Sequence, residues 1–525
     1  MQQTLRRLKI PVNSTASDNN NLQHIVIVGG GTAGWMSASA LAKVVGTKNC
    51  RITLVESEQI GTVGVGEATI PPIIAFNDLL GIDTDEMLRA TQGTFKLGIE
   101  FTNWGRIGDV YMHPFGVFGR TIKNVNFWHY WKKAHDLGMS PGLDSYSLNW
   151  IASKQNRFLR SVNVSNSPLS NVPHAYHFDA SLYAVFLREF SLALGVSRIE
   201  GMVERVDQDS DSGFITGLTL RDGAKIEADF FIDCSGFRGL LIEGCLQTGY
   251  EDWTHYLPCN SAQAMPSEGI NPKHPYTKSI AHAAGWQWQI PLQHRTGNGI
   301  VYSNDFATDE QAQETLLANL PSVALAEPRQ LRFVTGKRKQ AWNKNCLAVG
   351  LASGFMEPLE STSIHLVQSM IMRFLALFPR RTGFEAERKR FNQLTDTEIH
   401  SIRDFLILHY KATKRDDSEL WNYCRNMDIP DSLSDKIELY RSGSRLDRDS
   451  QELFGQDSWL AVLEGQHMNA TSYSPLVDSM PIQALDKMLR DTREVVGQCV
   501  TAMPSHEDFI RQHCAANLDS ESQAG

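Results

Sequence analysis

The chain has 525 residues, 42% hydrophobic and 21% charged, enough to bury a large core and to build more than one module around it. A formal net charge of -9 and the lack of any long Lys/Arg run argue against a nucleic-acid partner, whose phosphates are gripped by basic patches. No stretch approaches the roughly 20 consecutive apolar residues that cross a bilayer, and the start MQQTLRRLKIPV leads into polar NSTASDNNN rather than an apolar signal segment, so a cytoplasmic protein without a membrane partner is expected.

Residues 1–22 and 516–525 lack apolar periodicity and read as disordered ends. Between them, His24–Val28 is predicted to be a buried strand, 33–45 a helix and 51–55 a second strand, which together make a βαβ unit. Farther on, 213–220 and 225–232 flank the turn Arg221-Asp222-Gly223 and predict an antiparallel hairpin. A third apolar strand at 346–349 leads through a Gly-rich loop to a helix at 364–378, and the remainder is mainly helical. The eight cysteines are scattered, with no C-x-x-C pair and no Cys/His spacing suited to zinc, so neither disulfides nor a metal site is expected.

Gly29-Gly30-Gly31-Thr32-Ala33-Gly34 fits G-x-G-x-x-G, and it falls after a strand and at the start of a helix, where a dinucleotide fingerprint has to lie. Gly29 permits the tight turn, Gly31 lets backbone approach a pyrophosphate, and Gly34 allows close helix–sheet packing; the N–H groups of Thr32 and Ala33 open the helix toward the anion. Glu56, 22 residues after Gly34, ends the second strand, where a carboxylate accepts hydrogen bonds from adenosine ribose hydroxyls. On the fingerprint alone, FAD and NAD both remain open.

Three further motifs follow in order: Gly64-Val65-Gly66-Glu67-Ala68-Thr69-Ile70-Pro71, Gly285-Trp286-Gln287-Trp288-Gln289-Ile290-Pro291 and Pro358-Leu359-Glu360-Ser361-Thr362. With GGGTAGW at 29–35 they make a chain that resembles the flavin-dependent tryptophan halogenase family from about His24 through the C-terminal helices. The resemblance implies an α/β fold with an FAD-binding Rossmann-like core of the flavin monooxygenase type over 23–378 and a mainly helical part over 379–515 that covers the substrate site. It implies a two-site enzyme: reduced FAD, O2 and chloride or bromide yield hypohalous acid, which travels through an internal tunnel to an electron-rich aromatic such as an indole. A separate flavin reductase supplying FADH2 is implied as a partner, and a homodimer is compatible with the family.

Lys96 matches the family's catalytic lysine and Glu360 its catalytic carboxylate, with Thr362 and Ser363 at the positions that hold halide through backbone N–H groups. Ala68, Val203, Leu351 and Ile364 match flavin contacts, and His113 and Phe115 match the aromatics that stack on the substrate ring. Trp286 and Trp288, two apart on a predicted strand, share one face and would form an apolar wall between flavin and substrate. Two departures stand out. Ser363 replaces the Gly that follows this Thr in tryptophan-specific members, which bears on halide preference if φ > 0 is needed there. The tryptophan-gripping C-terminal signature is absent, since the chain reads Phe454-Gly455-Gln456-Asp457-Ser458-Trp459 and Glu464-Gly465-Gln466-His467 in that region. The competing readings are an FAD-dependent aromatic monooxygenase, which would share the fold but add oxygen at the flavin, and a non-catalytic flavin-binding protein.

Overall fold

A computed structural model describes residues 20–59 and 66–517. Its centre is a six-stranded sheet ordered Trp342–Asn343, Cys346–Ala348, Phe230–Asp233, His24–Val28, Arg51–Glu56, Ser197–Glu200, parallel throughout except for the first pair. The strand His24–Val28 is buried at all five positions, as expected for a parallel strand covered on both faces. Helix Thr32–Val44 follows the first strand and packs on helix Ala180–Ala193, where Ser39 and Ser191 meet Oγ to Oγ at 2.8 Å. The βαβ unit read from the sequence is therefore present within a residue or two at each boundary.

The expected hairpin is only half right. Ile215–Leu220 pairs antiparallel with Lys225–Glu227, but the chain then leaves the hairpin, and Phe230–Asp233 joins the parallel sheet beside Ile25–Val28. Asp229 sits at the break, its carboxylate accepting the backbone N–H groups of Gln23 (2.7 Å) and His24 (3.1 Å). The continuous apolar run Phe230-Phe231-Ile232 marks a doubly covered strand, in contrast to the alternation of Lys225-Ile226-Glu227.

A seven-stranded sheet forms the second layer, in the order Arg329–Arg332, Ser261–Glu268, Arg295–Tyr302, Gly285–Pro291, Thr277–His282, Gly98–Thr102, Val110–Pro114. It carries both tryptophans of the W-x-W motif, and its edge strand carries His113. A small sheet of Gly66–Ala68, Ala175–Asp179 and Thr94–Lys96 brings Lys96 beside it. The long helix Glu385–Lys411 and the helices after it close over the edge strand, with Gln466 Nε2 donating to Tyr111 OH at 3.0 Å and to the His409 carbonyl at 3.0 Å. One buried apolar cluster contains residues from Leu22 to Cys514, and Asn21 bridges to Arg380. Residues 1–19 and 518–525 lie outside the described residues, as do Gly64 and Val65 of the second motif. Among the described residues no helix is long and apolar enough to cross a membrane.

Candidate active site

A cavity of about 830 Å³ opens at the C-terminal ends of the parallel strands, where an open α/β sheet holds its ligand. Gly29, Gly31, Thr32, Ala33, Glu56, Ala68, Val203, Leu351 and Ile364 all line it. Gly34 does not; a Cβ there would stand 1.9 Å from the Gly29 carbonyl oxygen, so this glycine serves the helix–strand approach instead. A Cβ on Gly31 would meet nothing within 4 Å, so that backbone faces open space at the start of helix Thr32–Val44. Bare backbone at a helix N-terminus is the cradle that a pyrophosphate fits. Glu56 lies over Gly30, and its Oε1 accepts from Arg198 Nε at 2.5 Å. Arg188, Arg198 and Arg238 add cationic groups to the lining.

The cavity also has an aromatic lining. Trp286 and Trp288 both line it, with ring centroids 6.1 Å apart on the fully buried strand Gly285–Pro291. The Trp288 ring lies against Gly299 of the neighbouring strand, where a Cβ would come within 2.1 Å of it.

Lys96, Glu360, His113 and Phe115 are not part of that lining; they form a separate cluster. Lys96 ends strand Thr94–Lys96 and is 0% exposed. Its Nζ donates to the Thr69 carbonyl (3.0 Å) and to Ser361 Oγ (2.8 Å), and stands 5.1 Å from the Phe115 ring centroid. Burial pulls this amine down to about 7, against the opposing charge of Glu360. Glu360, also 0% exposed, accepts from His113 Nδ1 through Oε2 at 2.8 Å. On the other side, His409 Nε2 stands 2.8 Å from Oε1, out of hydrogen-bonding alignment, while His409 Nδ1 donates to the Phe405 carbonyl. Burial alone would raise the Glu360 carboxyl, but His113 first and His409 second hold it down at about 2. The cluster thus pairs an amine that titrates near neutrality with a carboxylate that stays ionised.

The two centres meet at the turn after Glu360. Ser361 has φ of 57°, an uncommon conformation for a non-glycine residue, and its hydroxyl reaches Lys96 while the residue itself lines the cavity. Thr362 then serves as N-cap without a side-chain cap bond, and Ser363 is the first residue of helix Ser363–Ala376. Thr362 and Ser363 both line the cavity at the positive end of that helix. Ser363 is helical, so the positive φ falls at Ser361, and the loss of Gly at 363 imposes no backbone constraint. Nor does the Glu360 side chain cap the helix; the histidines hold it.

The tryptophan halogenase profile matches residues 24–482. The chain belongs to the tryptophan halogenase family. The tryptophan 6-halogenase ThaL of Streptomyces albogriseolus is 33% identical to it, over 94% of this chain and 99% of the relative. The tryptophan 7-halogenase RebH of Lentzea aerocolonigenes is 32% identical over the same shares. Among solved structures, a flavin-dependent halogenase from Xanthomonas campestris superposes with a TM-score of 0.91 at 44% identity, covering 94% of this chain and 99% of that one. BrvH, a flavin-dependent halogenase from Brevundimonas sp. BAL3, gives 0.90 at 42% identity with the same coverage. This chain is an enzyme, a flavin-dependent halogenase.

Several residues of this halogenase's site carried no signal in the sequence. His409 sits in the last turn of helix Glu385–Lys411 and meets Glu360 only through the fold. Arg198, on a strand far from the fingerprint, comes to Glu56 by parallel pairing of Arg51–Glu56 with Ser197–Glu200. Glu357, one residue before the Pro-Leu-Glu-Ser-Thr motif, is buried and bonds Trp286. The motif window hinted only at the last, as a second carboxylate in an otherwise apolar segment.

Proposed function

We propose that this halogenase uses FADH2, O2 and chloride or bromide to make hypohalous acid and passes it to an electron-rich aromatic such as an indole. The observation that carries the reading is the division of the site: the Gly-rich cavity, lined also by Trp286 and Trp288, and the buried Lys96–Glu360 pair outside that lining, the two meeting at Ser361. Reduced FAD, when bound, supplies with O2 the two-electron oxidation of halide. Gly29, Gly31, Thr32, Ala33, Glu56 and Arg198 hold the dinucleotide, with Gly34 setting the helix approach, and Ala68, Val203, Leu351 and Ile364 form its apolar contacts. Thr362 and Ser363 offer halide the N–H groups of a helix start.

The transfer itself balances as HOX + ArH → ArX + H2O. Lys96 Nζ donates a proton to the departing oxygen as halogen passes to the ring carbon, and Glu360 accepts the proton that the ring carbon then sheds. His113 orients that carboxylate, and with Phe115 gives the ring an aromatic bed. The tryptophans keep substrate from the flavin, which disfavours oxygen transfer at the flavin. Relatives named for tryptophan guide the substrate class, but the missing C-terminal signature points away from free tryptophan. A separate flavin reductase delivers FADH2, and a homodimer is the assembly we expect.

The test is mass spectrometry of reactions with enzyme, FAD, reductase, NADH, O2 and chloride or bromide against indoles and phenols. A halogen isotope pattern on a ring supports the proposal. Addition of oxygen in its place would refute it.

A further inference from the structure

Glu357 is a buried carboxyl to which the proposed mechanism gives no task. It precedes the turn Pro358–Glu360, is 1% exposed, and has one oxygen, Oε1, with no hydrogen-bond partner. Its other oxygen accepts from Trp286 Nε1 at 2.8 Å and from Tyr410 OH at 2.5 Å. Tyr410 in turn lies 3.5 Å from Cys259 Sγ, stacks on Trp421 and presents its edge to Trp104, which leans on Trp286 at 6.3 Å. Burial pushes the Glu357 carboxyl up to about 7. An apolar side chain of similar size would fill this place without the desolvation cost of a carboxyl, so packing alone does not account for the acid.

What the acid adds is geometric. Of the two indoles on the strand Gly285–Pro291, Trp286 is the one whose N–H is tied down, and the tie runs to the segment that carries Glu360 and Ser361. A tryptophan held only by packing can tilt about its side-chain torsions, whereas one fixed at its N–H has a single orientation. We propose that Glu357 is a positioning residue that locks the tilt of Trp286, so that oxidant passes from the cavity to Lys96 without leaking past the tryptophans. The inference rests on the reading of Trp286 and Trp288 as the partition between the two centres.

The experiment compares E357L, E357Q, W286F and W286A with wild type in full turnover with bromide and indole. Three quantities are read, with a chlorinated β-diketone trap in large excess over indole so that leaked oxidant does not brominate it in solution: brominated product per NADH consumed, free hypobromite captured by the trap, and FAD affinity. E357L removes the acceptor and strands two donors; product per NADH should fall roughly tenfold and captured hypobromite should rise, with FAD affinity unchanged. E357Q, whose amide oxygen still accepts both bonds, should restore coupling to within about twofold of wild type. W286F removes the N–H together with part of the indole's volume, so it should leak at least as much as E357L does, and a coupled W286F overturns the role of Glu357 even if E357L does not fold. E357L or W286F with wild-type coupling, or E357Q as leaky as E357L, would overturn the role of Glu357. If W286A too stays coupled, the partition itself is wrong; if W286A leaks while E357L and W286F do not, only the positioning role falls.

Discussion

Replacing Lys96 by Met should make the protein more stable at neutral pH while abolishing halogenation. An amine lowered from its ordinary 10.5 to about 7 is, at about 1.36 kcal/mol per pH unit, a burden of roughly 5 kcal/mol on the folded state at pH 7 and below. Met fills most of the same volume without charge, but the substitution forfeits the bonds to the Thr69 carbonyl and Ser361 Oγ, about 1–1.5 kcal/mol each. The net gain is about 2 kcal/mol, which for a chain of this length is a Tm rise of about 2 °C. The sign follows from proton counts: the unfolded lysine keeps its proton up to 10.5 and the folded one releases it near 7, so between these values the unfolded state binds more protons and wild-type stability climbs with pH. K96M has no such climb, and its advantage should vanish by about pH 9. Urea unfolding of the apoprotein at pH 6.5 and pH 9 reads both quantities. A K96M protein that is less stable at pH 6.5, or whose difference from wild type ignores pH, would show that Lys96 is not the desolvated amine described above.

Gly31→Val adds a side chain to open cavity and should leave Tm nearly unchanged while weakening FAD binding by about tenfold or more, measured by flavin fluorescence quenching. Gly34→Ala, whose Cβ meets the Gly29 carbonyl, should instead cost about 3 kcal/mol of stability. Glu360→Gln should lower the halogenation rate by about two orders of magnitude with NADH consumption retained, because the base is lost and the oxidant is made elsewhere. Phe454 stacks on Phe405 at 4.0 Å and lies 6.0 Å from the His113 ring, next to a cluster with no exposed surface at Lys96 or Glu360. Phe454→Ala should therefore open space beside His113 and raise kcat/KM for ring-substituted indoles relative to indole by about fivefold, scored in paired competition assays.

The sequence carried the parts of this site that are local. The fingerprint at 29–34 needs only one strand, one turn and one helix, and the spacing of Trp286 and Trp288 announces a shared face. Lys96 is marked in the sequence by its match to the family, and the fold buries it completely. Contacts across the chain left no such trace. Glu360 is held by residues 247 positions before it and 49 after it, and nothing about His409 in an amphipathic helix marks it as a partner. The misread hairpin is a different case: the change from the alternation of 225–227 to the apolar run of 230–232 is local, while the Asp229 contacts with Gln23 and His24 that fix the break are made across the sheet.

The central claim is that oxidant is made in the cavity and used beyond the tryptophans at Lys96, and it is tested most directly by following both events in the Lys96→Ala enzyme. With FAD, reductase, NADH, O2, bromide and indole, and the hypobromite trap in large excess over indole so that free oxidant does not brominate it in solution, that enzyme should consume NADH and release trapped hypobromite at close to the wild-type rate of oxidant formation while bromoindole disappears from the mass spectrum. Bromoindole made at the wild-type rate by the Lys96→Ala enzyme would contradict the account.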